Sequence, residues 1–298
     1  MKQYPIKTAT LPNGETIAYR AAGENGPVIV LIHGNMSSSV HWQTTIEQLE
    51  QDYRVYALDL RGFGDSSYET TFSSLHDLAK DVAHWLDAID LTESFTAVGW
   101  STGGGVSMEL AADRPNQVTK VILLDSVPLT GYPLFKKDTN GAPIHAKPHK
   151  TKEDIAADPV QVLPILTAYA TNNRKYMRGI WNALIYNLRE PPAEDYEEYL
   201  TAIMKQRNLV DVYYSLSTFN MTSAPTGSAD GSNRAKLVKC PVVVLQGAKD
   251  LVVPLAWGQS IKNYFGDQAT MITFPEAGHS VITDDPELFF TTLRTQLA

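Results

Sequence analysis

Hydrophobic positions along this chain change period repeatedly, and the changes mark out its elements. Residues 27–33 read Pro-Val-Ile-Val-Leu-Ile-His, a continuous apolar run. A short run without polar alternation predicts a parallel strand buried on both faces. Residues 54–60, 95–100 and 120–125 predict three more strands. Between them the period lengthens. Leu75, Leu78, Val82, Trp85, Leu86 and Ile89 recur at helical spacing, so residues 74–91 predict an amphipathic helix. Ser74, with Asp77 three residues on, supplies a capped start. Residues 106–113 predict another helix, and residues 16–22 an antiparallel strand ahead of the series. Alternation of this kind predicts a mostly parallel central sheet flanked by helices on both faces.

The alternation stops after Pro128. Residues 129–239 contain no strong buried strand. A loop rich in Lys, His, Pro and Gly spans 136–152. Two helical patterns follow, one through Tyr176, Met177, Ile180, Trp181, Leu184 and Ile185, the other through Tyr196, Tyr199, Leu200, Ile203 and Met204. Pro191-Pro192 separates them. A Ser/Gly/Ala/Asp stretch at 222–233 reads as a flexible loop. The strand–helix pattern then resumes, with strands at 241–247 and 270–274 and helices at 255–264 and 287–297. The expected organisation is an α/β core in two parts, 1–128 and 240–298, interrupted by a helical cap at 129–239.

Composition narrows the partners. The 298 residues are 43% hydrophobic and 19% charged, as in an ordinary globular protein. A net charge of −8 argues against nucleic acid as a partner. There is no run of about 18 apolar residues, so no membrane span is expected, and the start lacks an apolar signal core. A cytoplasmic protein, monomeric or homodimeric, is the expectation. The lone cysteine, Cys240, excludes an intrachain disulfide and a cysteine-cluster metal site. It stands just before an apolar strand and reads as a buried structural thiol.

The chemistry centres on Gly99-Trp100-Ser101-Thr102-Gly103. This G-x-S-x-G run ends a strand and opens a helix, a context that exposes a serine hydroxyl above a sheet. The helix N-terminus adds N–H groups and a dipole favourable to an anion. A serine needs a base. Of seven histidines, His279 alone follows the last predicted strand, where a loop reaches back over the strand ends. His33 reads as structural. His145 and His149 belong to a solvent-prone loop. His41, His76 and His84 fall on or near helices without metal-ligand companions. The base needs an acid to orient it. Asp250 follows the strand that resumes the core, and Asp125, at the end of residues 120–125, is the alternative. An oxyanion needs donors. The Thr102 N–H is one candidate, and the Asn35 N–H, in His33-Gly34-Asn35-Met36, is the other. Neither Arg61-Gly62-Phe63-Gly64-Asp65-Ser66 nor Gly103-Gly104-Gly105 has a phosphate-binding spacing.

Together these pieces resemble the α/β-hydrolase fold superfamily with an inserted α-helical cap. The matching residues are His33-Gly34-Asn35-Met36, Arg61 to Ser66, Gly99 to Gly103, Gly247-Ala248-Lys249-Asp250 and Gly278-His279-Ser280. The resemblance implies a Ser101–Asp250–His279 triad, an oxyanion hole at Asn35 and Thr102, and a small-molecule ester, lactone or thioester as substrate. The loop match favours Asp250 over Asp125. Relatives of the epoxide hydrolase and haloalkane dehalogenase type carry an aspartate where Ser101 stands, which disfavours both chemistries. The Gly-Trp-Ser box also resembles intracellular polyhydroxybutyrate depolymerases, although many esterases and lactonases have a similar box. Acyl transfer on such a triad needs no cofactor and no metal. Two other readings remain: a ligand-sensing protein that retains the fold, and a C–C hydrolase or cofactor-free perhydrolase. Tyr176, Trp181, Tyr196, Tyr199, Tyr213, Tyr214 and Phe219 either line an acyl pocket or pack the insertion onto the core.

Overall fold

The computed structural model describes residues 1–298. Six strands precede residue 129: β1 (Lys7–Thr10), β2 (Thr16–Ala22), β3 (Val28–Ile32), β4 (Arg54–Leu58), β5 (Phe95–Trp100) and β6 (Val118–Leu124). β7 (Phe135–Lys137) and β8 (Pro143–Pro148) form a separate ribbon, and β9 (Val242–Gly247) and β10 (Ala269–Phe274) complete the main sheet. Its order is β1-β2-β4-β3-β5-β6-β9-β10. β1 and β2 pair antiparallel, and β2 is antiparallel to β4. All pairs from β4 to β10 are parallel.

The continuous apolar runs have a direct cause. On β3, Val28, Val30 and Ile32 enter one core cluster while Ile29 and Leu31 enter the other. β6 and β9 divide in the same way. Successive side chains point to opposite faces, so a strand covered on both sides must be apolar throughout. α1 (Gln43–Leu49) covers one face. α2 (Leu75–Ala88) and α3 (Thr102–Asp113) cover the other. The Ser74 hydroxyl accepts from Asp77 N–H at 3.1 Å and starts α2 as expected.

α3 begins four residues before the predicted 106. Gly103, Gly104 and Gly105 hide its start, because glycine is a poor helix former. Packing is what demands them. A Cβ on Gly103 would stand 2.2 Å from Ile32 O, and one on Gly104 2.0 Å from Ser126 Oγ. The first turn of α3 therefore lies directly against the neighbouring strand ends.

Between β6 and β9 the chain forms α4 (Lys152–Ala156), α5 (Leu163–Ala170), α6 (Arg174–Leu184), α7 (Ala193–Ile203) and α8 (Leu209–Ser217). It contributes no strand to the main sheet. The expected loop at 136–152 contains the β7–β8 ribbon instead. Its faces are largely exposed, so it carries no hydrophobic signature. Turn chemistry closes it: Asp138 Oδ1 accepts from Asn140 and Ala142 N–H, and Gly141 takes φ +80°. His149, expected in solvent, is buried with Nε2 3.0 Å from Asp158 Oδ2. After β9 come α9 (Leu255–Phe265), α10 (Val281–Asp284) and α11 (Pro286–Leu297), the last capped by Asp285. No helix is long and apolar enough to cross a membrane.

Candidate active site

Every sequence-selected residue lies just beyond the C-terminal end of a parallel strand. Asn35 follows β3, Ser101 and Thr102 follow β5, Asp125 follows β6, Asp250 follows β9 and His279 follows β10. The strand order reverses around β3, with β4 on one side and β5 on the other. Ligands of open parallel sheets bind in the crevice above such a point.

Ser101 has φ +55° and ψ −119°, a conformation that β-carbon residues seldom adopt. It persists because its surroundings fix it. Ser101 N–H donates to Leu124 O at 2.9 Å, and Ser101 O accepts from Gly104 N–H at 3.0 Å. The glycines of the motif allow close approach. A Cβ on Gly99 would stand 2.3 Å from Gly103 O, and one on Gly34 2.9 Å from Ser101 Cβ. The side chain of Ser101 makes no capping bond to its helix, which leaves the hydroxyl facing the crevice.

His279 Nδ1 lies 2.7 Å from Asp250 Oδ2. The other Asp250 oxygen accepts from Val252 and Val253 N–H at 2.7 and 2.8 Å. Both side chains are almost fully buried. Trp100 holds the histidine from behind. Its Nε1–H donates to His279 O at 2.9 Å, and the two rings sit 5.7 Å apart. His279 and Ser101 face the same cavity without bonding to each other, and catalytic pairs commonly tighten only around substrate.

Asp125 is wholly buried at φ +43°. Its Oδ1 accepts from Gly247 N–H at 2.7 Å and from Gln246 Nε2 at 3.2 Å, while Oδ2 has no partner. Burial, and then the Asp250 charge, push its carboxyl well above the usual carboxylate range. Asp125, Asp250 and His279 present oxygen and nitrogen atoms within 4.8 Å of one another. The close His279–Asp250 hydrogen bond occupies the space between two of these three groups, so the donor set fits a hydrogen-bonded pair better than a metal ion.

On the opposite wall, Asn35 is fixed through its side chain. Asn35 Oδ1 accepts from Gln206 Nε2 at 2.9 Å and from Met36 N–H at 3.0 Å. Met36 takes φ +54°. This turns the β3–α1 loop toward the first turn of α3, whose Thr102 N–H has no carbonyl ahead of it in the helix. A cavity of about 340 Å³ opens between these walls. Of its 18 lining residues, 13 are hydrophobic, so it suits an apolar group. Val160, Ile165, Ile180, Leu184 and Ile185 from the inserted segment form much of that lining. Of the seven candidate aromatics, only Tyr213 lines it. Trp181 and Tyr199 instead stack on buried His41, whose imidazole burial pushes down to about 3.

Comparison with known proteins decides the family. The alpha/beta hydrolase fold family matches residues 27–286. The chain belongs to the alpha/beta hydrolase fold family. It is 26% identical over 271 residues to the dihydrolipoyllysine-residue acetyltransferase component of the acetoin cleaving system of Pseudomonas putida. That match covers 88% of this chain but 61% of the relative, so the chain spans about three-fifths of that protein's length. It is 24% identical to a pimeloyl-[acyl-carrier protein] methyl ester esterase of Nitrosomonas europaea, covering 89% of this chain and 93% of that one. Among solved structures, an esterase from Exiguobacterium antarcticum superposes with a TM-score of 0.74 at 18% identity over 98% of both chains. That likeness concerns the fold.

Several residues of this alpha/beta hydrolase site carry no motif. Gln206 lies in the inserted segment and reaches Asn35 across 171 positions of sequence. Gln246 precedes Gly247 inside a strand, and its amide contacts both Asp125 and Asp250. Asp284 accepts from Gly278 N–H at 2.8 Å, next to His279. A polar residue in an otherwise apolar buried strand was the one available signal, and it pointed to Gln246.

Proposed function

We propose that this protein is a serine hydrolase of carboxylic esters, lactones or thioesters with small to medium apolar acyl groups. The observation that carries the reading is the pairing of a positive-φ serine with a buried histidine–aspartate dyad across one apolar cavity. The resemblance of the chain to a methyl ester esterase along most of both sequences supports the bond type.

In this reading His279 Nε2 takes the proton of Ser101 Oγ as that oxygen attacks the carbonyl carbon. Negative charge gathers on the carbonyl oxygen, opposite the Asn35 and Thr102 N–H groups. His279 then gives its proton to the departing alkoxide, and the alcohol leaves an acyl group on Ser101. A water, deprotonated by His279, attacks the acyl carbon, and collapse of the second intermediate returns the proton to Ser101. Asp250 keeps the Nδ1 proton in place and balances the imidazolium charge. Residues 129–239 act as a cap that shapes the acyl side of the cavity and leaves the ester bond to the strand ends.

Ser101→Ala tests the assignment. Turnover of p-nitrophenyl butyrate is expected to fall by about 10⁴-fold or more, with a melting temperature close to wild type. A fluorophosphonate should label the wild type and not the variant. Wild-type-like turnover by Ser101→Ala would overturn the nucleophile. Labelling without turnover on ester, lactone and thioester panels would favour the ligand-sensing reading instead.

A further inference from the structure

Asp125 takes no part in the cycle above, yet it sits beside the dyad, fully buried. An unpaired carboxylate in that position is costly, so it calls for an explanation. Its surroundings are specific. Asp250 faces it from the loop after β9, His279 from the loop after β10, and Asp284 from α10. Gln246 Nε2 lies 3.2 Å from Asp125 Oδ1 and 3.4 Å from Asp250 Oδ2, bridging the two carboxyl groups. Gly247 N–H is the other donor to Asp125, and Asp125 Oδ2 is buried without a partner.

The two carboxyl groups are therefore unequal. Asp250 receives two backbone N–H groups and the histidine in addition to the shared amide. Asp125 receives one close backbone N–H, from Gly247, and the shared amide, with only a weaker pull from the Val281 N–H. Two carboxylates this close resist ionising together, so one proton stays with the less solvated partner.

We propose that Asp125 is a second, proton-carrying acid of this site, a positioning residue that can take over the orientation of His279 when Asp250 is lost. The inference rests on the serine hydrolase reading. Its geometry does not: the oxygen and nitrogen atoms of Asp125, Asp250 and His279 already lie within 4.8 Å of one another. To serve, Asp125 gives up its proton to solvent, and its carboxylate then accepts from His279 Nδ1–H. In the intact protein Asp125 stays neutral and Asp250 does the orienting.

A double-mutant cycle tests this, using ester turnover and melting temperature for each variant. Where one acid alone orients the histidine, its amide variant loses about 10⁴-fold in kcat. Here Asp250→Asn is expected to lose only about 100-fold in kcat, at little change in KM, because Asp125 substitutes. Asp125→Asn is expected to lower kcat about two- to fivefold. The double variant should fall to about 10⁴-fold below wild type, far beyond the product of the single losses. The activity left in Asp250→Asn should also need a higher pH than wild type, since burial delays ionisation of Asp125. A purely structural role would move neither the cycle nor the pH profile.

Infrared spectroscopy supplies a measurement that needs no active variant. The wild type at neutral pH should show the carbonyl stretch of a protonated carboxyl that Asp125→Asn removes. Equal activity in Asp250→Asn and the double variant would overturn the proposal, as would the absence of an Asp125-dependent band. If the wild type turned over no ester, the esterase reading would fall, while the infrared band would still decide whether Asp125 holds the proton.

Discussion

The floor and the roof of the cavity are built by different rules. The floor consists of strand ends and the first turn of α3. There, backbone hydrogen bonds fix each group, and Gly34, Gly99 and Gly103 have no room for a side chain, since an added Cβ would stand 2.2–2.9 Å from its neighbours. The roof consists mainly of aliphatic side chains from α5, α6, α8 and the turn ahead of α5, with Leu184 and Val160 still 38% and 48% exposed. Apolar packing is non-directional, so such a surface tolerates exchange of one aliphatic residue for another. Under the proposed function, the difference would make bond chemistry and acyl selection separable in this molecule. The exception is Gln206, a roof residue that hydrogen-bonds Asn35 on the floor.

The hardest test of the floor is Gly103→Ala. The new Cβ would meet backbone oxygens of Ile32 and His33 at 2.2 and 2.6 Å, neither of which can move without shifting β3. A loss of about 3 kcal/mol or more of stability is expected in urea unfolding, together with loss of turnover. A fully stable, active variant would show that the floor is not rigid.

Gln206→Leu tests the polar link between Gln206 and the loop that carries Asn35. It strips Asn35 Oδ1 and Asn208 Oδ1 of a donor and the Tyr169 hydroxyl of an acceptor, and leaves the sheet untouched. A fall of about tenfold in kcat with KM within about twofold is expected. A change in KM alone would make Gln206 a substrate contact and not a support of the loop that carries Asn35.

The smallest effect belongs to the roof. Leu184→Ala enlarges the cavity wall by three carbon atoms. Selectivity between p-nitrophenyl esters should shift by about fourfold per methylene, the equivalent of about 0.8 kcal/mol for each buried CH₂. Turnover of the acetate should stay within about twofold. An altered acetate rate would mean that the roof reaches the reacting bond after all.

Much of the floor was legible in the sequence because its elements are local. Each strand run is short and apolar on both faces, and each candidate residue follows its strand within a few positions. The roof was legible only as a set of helices. Its β7–β8 ribbon has no buried face, so hydrophobic periodicity could not signal it. For each aromatic residue there, the sequence favours packing over lining without deciding between them. Trp181 and Tyr199 went to packing because His41, distant in sequence, offered a flat surface to stack on, and Trp100 meets Trp181 edge to face.

The sequence by itself determined the α/β alternation, the strand-to-helix setting of Ser101 and the chain order of Ser101, Asp250 and His279. All of these follow from periodicity and turn residues within a few positions. Only the tertiary structure decided that Asp125 stands beside Asp250, that Gln206 supports Asn35, and that aliphatic residues make the roof. These depend on which strands become neighbours and on the packing of segments more than a hundred residues apart. Local pattern records what a residue can form, and only burial against distant partners fixes what it touches.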